Sequence, residues 1–155
     1  MSSGAVYRYF PAKHDIIEAL VRRWADDELN ALRREVKGRF MERLEEAAGR
    51  LLERFLGADG ALAADMIAES ARNERVHLAL TSAQAQRLDM FAAGLRRAQR
   101  AGDVDPTLDA AKAAHVLCAA IDGLGVDLAL RRAANTTAAR RVFRAFSERY
   151  LGALQ

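Results

Sequence analysis

The feature that most constrains this chain is its apolar spacing, which recurs every three or four residues from end to end and nowhere settles into alternation. Ile16, Ile17, Leu20, Val21, Trp24, Leu29, Leu32 and Val36 make one such stripe. A period near 3.6 gathers these side chains on one helix face, whereas a half-buried strand needs a period of 2. Ala, Leu, Arg and Glu dominate and β-branched residues are sparse, which agrees with helix throughout. The expected fold is all-α: a short N-terminal helix and about six more. With 155 residues, 51% of them hydrophobic, the chain can bury a substantial core. That composition excludes the disordered and collagen-like classes.

Breakers and caps divide the pattern. A long helix is expected from about residue 14 to Val36, interrupted by Gly38. Phe40, Leu44, Ala48, Leu51, Leu52, Phe55 and Leu56 form the next run, which ends at Gly57-Ala58-Asp59-Gly60. Leu62, Met66 and Ile67 start another, with a short apolar patch at Val76, Leu78 and Leu80. Thr81-Ser82-Ala83-Gln84 has the form of a capping box and predicts a new helix, closed by Gly102. Asp105-Pro106 predicts another start, Asp as cap and Pro in the first turn. Asn135-Thr136-Thr137 caps the last helix, which carries Val142, Phe143, Phe146, Tyr150 and Leu154. Short connections favour antiparallel packing as a bundle.

The 24 Lys and Arg against 21 Asp and Glu leave a net charge of +3, too small to imply nucleic acid by itself. Six Arg fall in residues 131–155 against the single acid Glu148, which is expected to be a solvated helix face. The one cysteine, Cys118, excludes an intrachain disulfide and fits a reducing compartment or simple indifference to redox. No uninterrupted apolar run approaches the roughly 18 residues of a membrane span, and the N-terminus has no apolar signal segment. A soluble, cytoplasmic protein without a membrane partner is expected. There is no Gly-rich phosphate loop, HExxH, GxSxG or diagnostic carboxylate pair, so no enzyme and no cofactor is expected. His115 and Cys118, with His77, have types that zinc accepts, but two such residues on one face are ordinary core composition, and no metal site is expected.

The first 24 residues differ from the rest. Tyr7, Tyr9 and Phe10 crowd beside Ser2, Ser3, Arg8 and Lys13. Hydroxyls and cations around helix starts are what grips phosphate oxygens. The string SSGAVYRYFPAKHDIIEAL resembles the end of the helix-turn-helix of TetR (tetracycline-repressor) family regulators: Ser-x-Gly-x-x-Tyr-x-Tyr-Phe, a Lys two residues after the Pro, then an aliphatic helix start. The layout Gly102-Asp103-Val104-Asp105-Pro106, followed by a helix with Ile121-Asp122-Gly123-Leu124, is a weaker echo of the same family.

The resemblance implies a partial helix-turn-helix in residues 1–36, with the connecting helix, and a ligand-binding and dimerisation bundle in residues 37–155. It places Ser3, Gly4 and Ala5 at the start of the recognition helix, facing the major groove. Tyr7 and Lys13 would hold phosphates, and Tyr9 a base or the backbone. The family has two further helices before this point, so the chain as it stands is expected to bind operator DNA poorly. The resemblance also implies a mostly apolar cavity for a small inducer, for which Trp24, Phe55, Met66, His77, Met90, Phe91, His115, Cys118 and Asp122 are the candidates. It implies a homodimer through the helices around 107–130 and 137–154, with Leu124, Leu128, Arg131, Val142, Phe146 and Tyr150 at the interface. The expected function is a ligand-responsive regulator of the repressor type, released from its operator by the inducer. The alternative is a helical oligomerisation or ligand-binding module that does not bind DNA.

Overall fold

Most helix starts in this chain are held by side-chain acceptors in or just ahead of the first turn, Asn73 and Asp109 ahead of it and Asp15 and Glu42 within it. The computed structural model describes residue 10, residues 12–33 and residues 38–152. They form six α-helices: α1 (Lys13–Arg33), α2 (Phe40–Glu53), α3 (Gly57–Ser70), α4 (Glu74–Ala101), α5 (Ala110–Leu130) and α6 (Thr137–Tyr150). No strand occurs among the described residues. At the start of α1, the Asp15 carboxylate accepts from the Ala12 N–H at 3.0 Å. At α2 the Glu42 side chain reaches back to the Arg39 N–H at 3.0 Å. Each satisfies an N–H that helix geometry leaves without a partner.

Three starts differ from expectation. Gly57-Ala58-Asp59-Gly60 is no break between helices: α3 begins at Gly57 and takes the four residues as its first turn. The four residues from Thr81 do not open a helix; α4 begins at Glu74 and runs unbroken for 28 residues. Asn73 caps it, accepting from the N–H of Arg75 at 3.1 Å and of Val76 at 3.4 Å. The Thr81 hydroxyl donates instead to the carbonyls of His77 and Leu78 within the helix. Such back-bonding satisfies a mid-helix Thr without ending the helix. Likewise Asp105-Pro106 does not start α5. Asp105 holds a turn, accepting from the Thr107 N–H at 2.8 Å and hydroxyl at 2.7 Å. Asp109 is the cap, bonded to the N–H of Ala111 and Lys112. Gln99 fixes the connection by donating to the carbonyls of Asp105 and Leu108. Gly102 does close α4, in the left-handed conformation at φ 79°.

The Thr107 hydroxyl and N–H hold the Asp105 carboxyl below the usual carboxylate range, and the Lys112 N–H does the same for Asp109. A carboxyl lowered in the folded state contributes stability above its unfolded value, about 3.9, and loses it as pH falls through the folded value. Stability is therefore expected to be insensitive to these two groups from pH 7 to 5 and to decline below about pH 4. Asp109→Asn keeps an acceptor but not the charge, so its urea midpoint should fall less steeply in acid. Identical acid limbs would contradict this.

Packing divides into two cores. The main one joins α2, the far half of α4, α5 and α6 through residues such as Leu44, Leu52, Leu95, Leu117, Ile121 and Phe143. The smaller one comprises Val21, Phe55, Ala63, Met66 and Val76, with Ile17, Trp24 and Leu80 against it, and so joins α1, α3 and the near half of α4. The C-terminal arginines are only partly a solvated face. Arg140 pairs with Glu46 at 2.9 Å and Arg144 with Glu45 at 3.0 Å, clamping α6 to α2. By length and composition α5 could cross a membrane. It packs instead as the central helix of the bundle, against α2, α3, α4 and α6, and carries Asp122 and Asp127.

Candidate ligand cavity

Between the two cores, the middle of α4 carries the polar residues Thr81, Gln84 and Arg87. A cavity of about 410 Å³ opens there, within the range of small-molecule sites. Trp24 reaches it from α1, Phe55 from the α2–α3 turn, Ala63, Met66, Ile67 and Ser70 from α3. His77, Leu80, Thr81, Ala83, Gln84 and Arg87 line it from α4, Asp122 and Val126 from α5. The wall is mainly apolar, with one ion pair. Arg87 donates to both Asp122 oxygens, at 2.9 and 2.6 Å. The Arg87 side chain is 8% exposed and that of Asp122 39%, so the arginine is sunk into the wall and the carboxylate faces the opening. This fork-to-fork geometry fixes α4 to α5 at the cavity wall.

Two further contacts shape the wall. The Arg54 guanidinium lies 4.3 Å over the Trp24 ring and donates to the Trp24 carbonyl at 2.8 Å, so one indole face is already covered by a cation. The Trp24 Nε1 is buried and has no hydrogen-bond partner among the described residues. The Phe55 ring rests on Gly125, occupying the space a Cβ would need. A wider depression of about 1160 Å³, between the start of α2 and the end of α6, is walled by Arg39, Glu42, Arg144, Glu148 and Arg149 along with aromatic side chains.

Of the nine cavity candidates from the sequence, Trp24, Phe55, Met66, His77 and Asp122 meet around this space. Met90, Phe91, His115 and Cys118 do not line it. Phe91 and Cys118 are buried in the main core, Met90 is half-buried and His115 is exposed. His115 and Cys118 are three residues apart, a 60° divergence on a helix, enough to turn one outward and the other in. Among the described residues no group of three His, Cys, Asp or Glu converges as a metal would need. Arg87 was not singled out by the pattern, although it occupies the inward stripe Val76, Leu80, Ala83, Arg87 and Phe91. A charge at such a position is the signal that something other than core lies there.

Of the DNA-contact candidates, Ser3, Gly4, Ala5, Tyr7 and Tyr9 lie outside the described residues. Lys13 is the first residue of α1, its side chain likewise outside them. Nearby, Arg75 of α4 bonds Asp15 at 2.9 Å and Glu18 at 2.7 Å, tying the first turn of α4 to the first turns of α1. Of the interface candidates, Arg131 and Val142 are exposed, and Leu124, Phe146 and Tyr150 are half-buried. The Phe146 and Tyr150 rings stack at 5.4 Å. Leu128 differs: it is buried in the main core of its own chain.

The fold is a helical bundle with a ligand-sized cavity between a main core and a smaller core at its N-terminal side. The family model for the C-terminal part of BetI-type transcriptional repressors matches residues 58–152. The chain belongs to the TetR family of transcriptional regulators. A transcriptional regulator from Saccharomonospora viridis, solved in complex with choline, is 25% identical, with a TM-score of 0.78 over 96% of this chain and 79% of that one. Salmonella enterica GusR superposes with a TM-score of 0.76 at 24% identity, over 98% and 79% of the two chains. A TetR-family regulator from Rhodococcus sp. gives 0.75 at 20%, over 97% and 81%. No curated protein sequence matches the chain. The family and these structural neighbours are regulators rather than enzymes.

Proposed function

We propose that this chain acts as a ligand-responsive repressor: two copies pair as a homodimer in the cytoplasm, a small and mostly apolar inducer enters the cavity, and the dimer leaves its operator. The observation that carries this reading is α4, one helix rooted at its two ends in different cores and lining the cavity between them. Its first turn is tied by Arg75 to Asp15 and Glu18. From there α1 leads back to the segment that resembles a recognition helix. An occupant that widens the cavity moves the near half of α4 against the scaffold and carries the start of α1 with it. It shifts operator affinity only by binding the two arrangements differently.

On this reading residues 1–36 deliver the DNA contacts, through Ser3, Gly4, Ala5, Tyr7, Tyr9 and Lys13. Residues 37–155 sense the ligand and pair the copies. Leu124, Arg131, Val142, Phe146 and Tyr150 face the second copy, with Leu128 supporting them from beneath. The choline complex of the Saccharomonospora viridis regulator supports a small-molecule occupant. The Phe55 ring and the Trp24 face left open by Arg54 could meet a quaternary ammonium, but Arg87 already neutralises Asp122, so choline is tried beside uncharged apolar compounds.

Trp24 is the only tryptophan in the chain and stands in the cavity wall. A true inducer is expected to change its emission saturably and to weaken binding to the DNA upstream of the gene by about 5–150-fold. A ligand that saturates the Trp24 signal and leaves DNA affinity unchanged overturns the repressor reading. Absence of DNA binding with and without ligand favours a ligand-binding or oligomerisation module instead.

A further inference from the structure

We propose that the cavity selects an uncharged apolar compound bearing a hydroxyl, and holds that hydroxyl as a hydrogen-bond donor. This rests on the reading of the cavity as the sensing site and adds the class of ligand it takes. The grounds lie in how the polar atoms of the wall are already engaged.

Three side chains of the wall keep their acceptor side open. The Thr81 hydroxyl donates to the His77 carbonyl at 2.9 Å and to the Leu78 carbonyl at 3.2 Å. The Ser70 hydroxyl donates to the Ile67 carbonyl at 2.7 Å. A carbonyl only accepts, so each hydroxyl has its single hydrogen committed to its own helix and retains its lone pairs. The Asp122 carboxylate takes two hydrogen bonds from Arg87, whereas an ionised carboxylate offers about four acceptor positions. Its side chain is 39% exposed, so an occupant can reach the positions left over.

The donors are disposed the opposite way. Both terminal nitrogens of Arg87 bond Asp122, and the side chain is 8% exposed. The Trp24 Nε1 is buried, with no surface on the open space. His77 and Gln84, exposed at the mouth, each carry a donor and an acceptor and favour neither kind of ligand. An occupant thus meets acceptors for which it must bring the hydrogen. A compound with acceptors alone leaves its oxygens unpaired against them, which weighs against binding. A carboxylate fares worse, because the arginine of the wall is already neutralised by Asp122. The same pairing cancels the attraction an ammonium would find at Asp122. What remains favoured is a neutral donor, with its apolar body against Phe55, Met66 and Trp24.

The test uses the full chain and calorimetric titration with three probes on one ring system: 2-naphthol, which donates; 2-methoxynaphthalene, which only accepts; and 2-naphthoate, which is anionic. The naphthol is expected to bind about tenfold more tightly than the ether. The naphthoate is expected to show no saturable binding at concentrations that saturate the naphthol. Two variants locate the acceptor: Ser70→Ala combined with Thr81→Val, and Asp122→Asn. In at least one of them the preference for naphthol over ether is expected to fall below about threefold. The preference is a ratio read within one protein, so damage to the cavity common to both probes cancels. Should Asp122→Asn fail to fold by circular dichroism, the Ser70→Ala, Thr81→Val chain decides alone. Equal affinity for naphthol and ether overturns the donor selection and leaves the cavity standing as an apolar ligand site. Tighter binding of the naphthoate, or a preference unchanged in both variants, also overturns it. Failure of all three probes to bind removes the donor selection and the sensing reading together. The expected preference with no change in affinity for the DNA upstream of the gene supports the donor selection and strikes the repressor reading.

Discussion

Phe143→Ala is expected to lower the stability of the fold by about 3–5 kcal/mol, the largest effect of any single truncation considered. Phe143 is 1% exposed and is the ring that α6 contributes to the main core. Its removal forfeits the transfer of a whole aromatic ring and leaves a void. It shares that core with Leu52, Leu117 and Ile121, none more than 2% exposed, so the surroundings are densely packed and have little room to collapse inward. A domain of this size has only about 5–15 kcal/mol to lose. The urea midpoint should therefore fall steeply while the slope of the transition stays constant. The adjacent Val142, 56% exposed, is the control: Val142→Ala should stay within about 0.5 kcal/mol. A loss under about 1 kcal/mol for Phe143→Ala would mean that α6 does not seal the main core, since buried Phe→Ala changes cost several times that.

The second large effect is expected at the ion pair in the cavity wall. Asp122→Ala removes the carboxylate that receives two short hydrogen bonds from Arg87, whose side chain is 8% exposed. Breaking a fully buried pair costs about 3–5 kcal/mol. Asp122 is 39% exposed and water already reaches it, so roughly 2–3 kcal/mol is expected here. The double replacement Arg87→Met with Asp122→Leu leaves no charge stranded and should recover most of that loss. The comparison isolates what the pair contributes, because each single change also strands a partner. If Asp122→Ala and the double replacement are equally stable, the ion pair does not hold α4 to α5.

Much of the fold was legible in the sequence because helix periodicity is local. The stripes of α1, α2 and α6 can be read residue by residue, and Gly102 ends α4 where a left-handed residue is needed. Starts were harder. Asp105 and Asp109 have equal capping chemistry four residues apart, and only the anchoring of the intervening turn by Gln99 decides between them. Thr81 carries the letters of a capping box, but its hydroxyl finds carbonyls inside a helix already under way. The cavity was legible only in part. Trp24, Met66 and His77 lie on apolar stripes whichever helices meet. Whether Phe91 or Arg87 faces the open space depends on where the two cores part along α4, a tertiary matter that no window of sequence holds.

The Phe55 ring sits where a side chain at position 125 would begin. The chamber therefore takes its outline from a residue that never touches its contents. A single added methyl at position 125 would displace that ring, so the shape of the cavity is open to adjustment from within the bundle, with every wall residue left as it is.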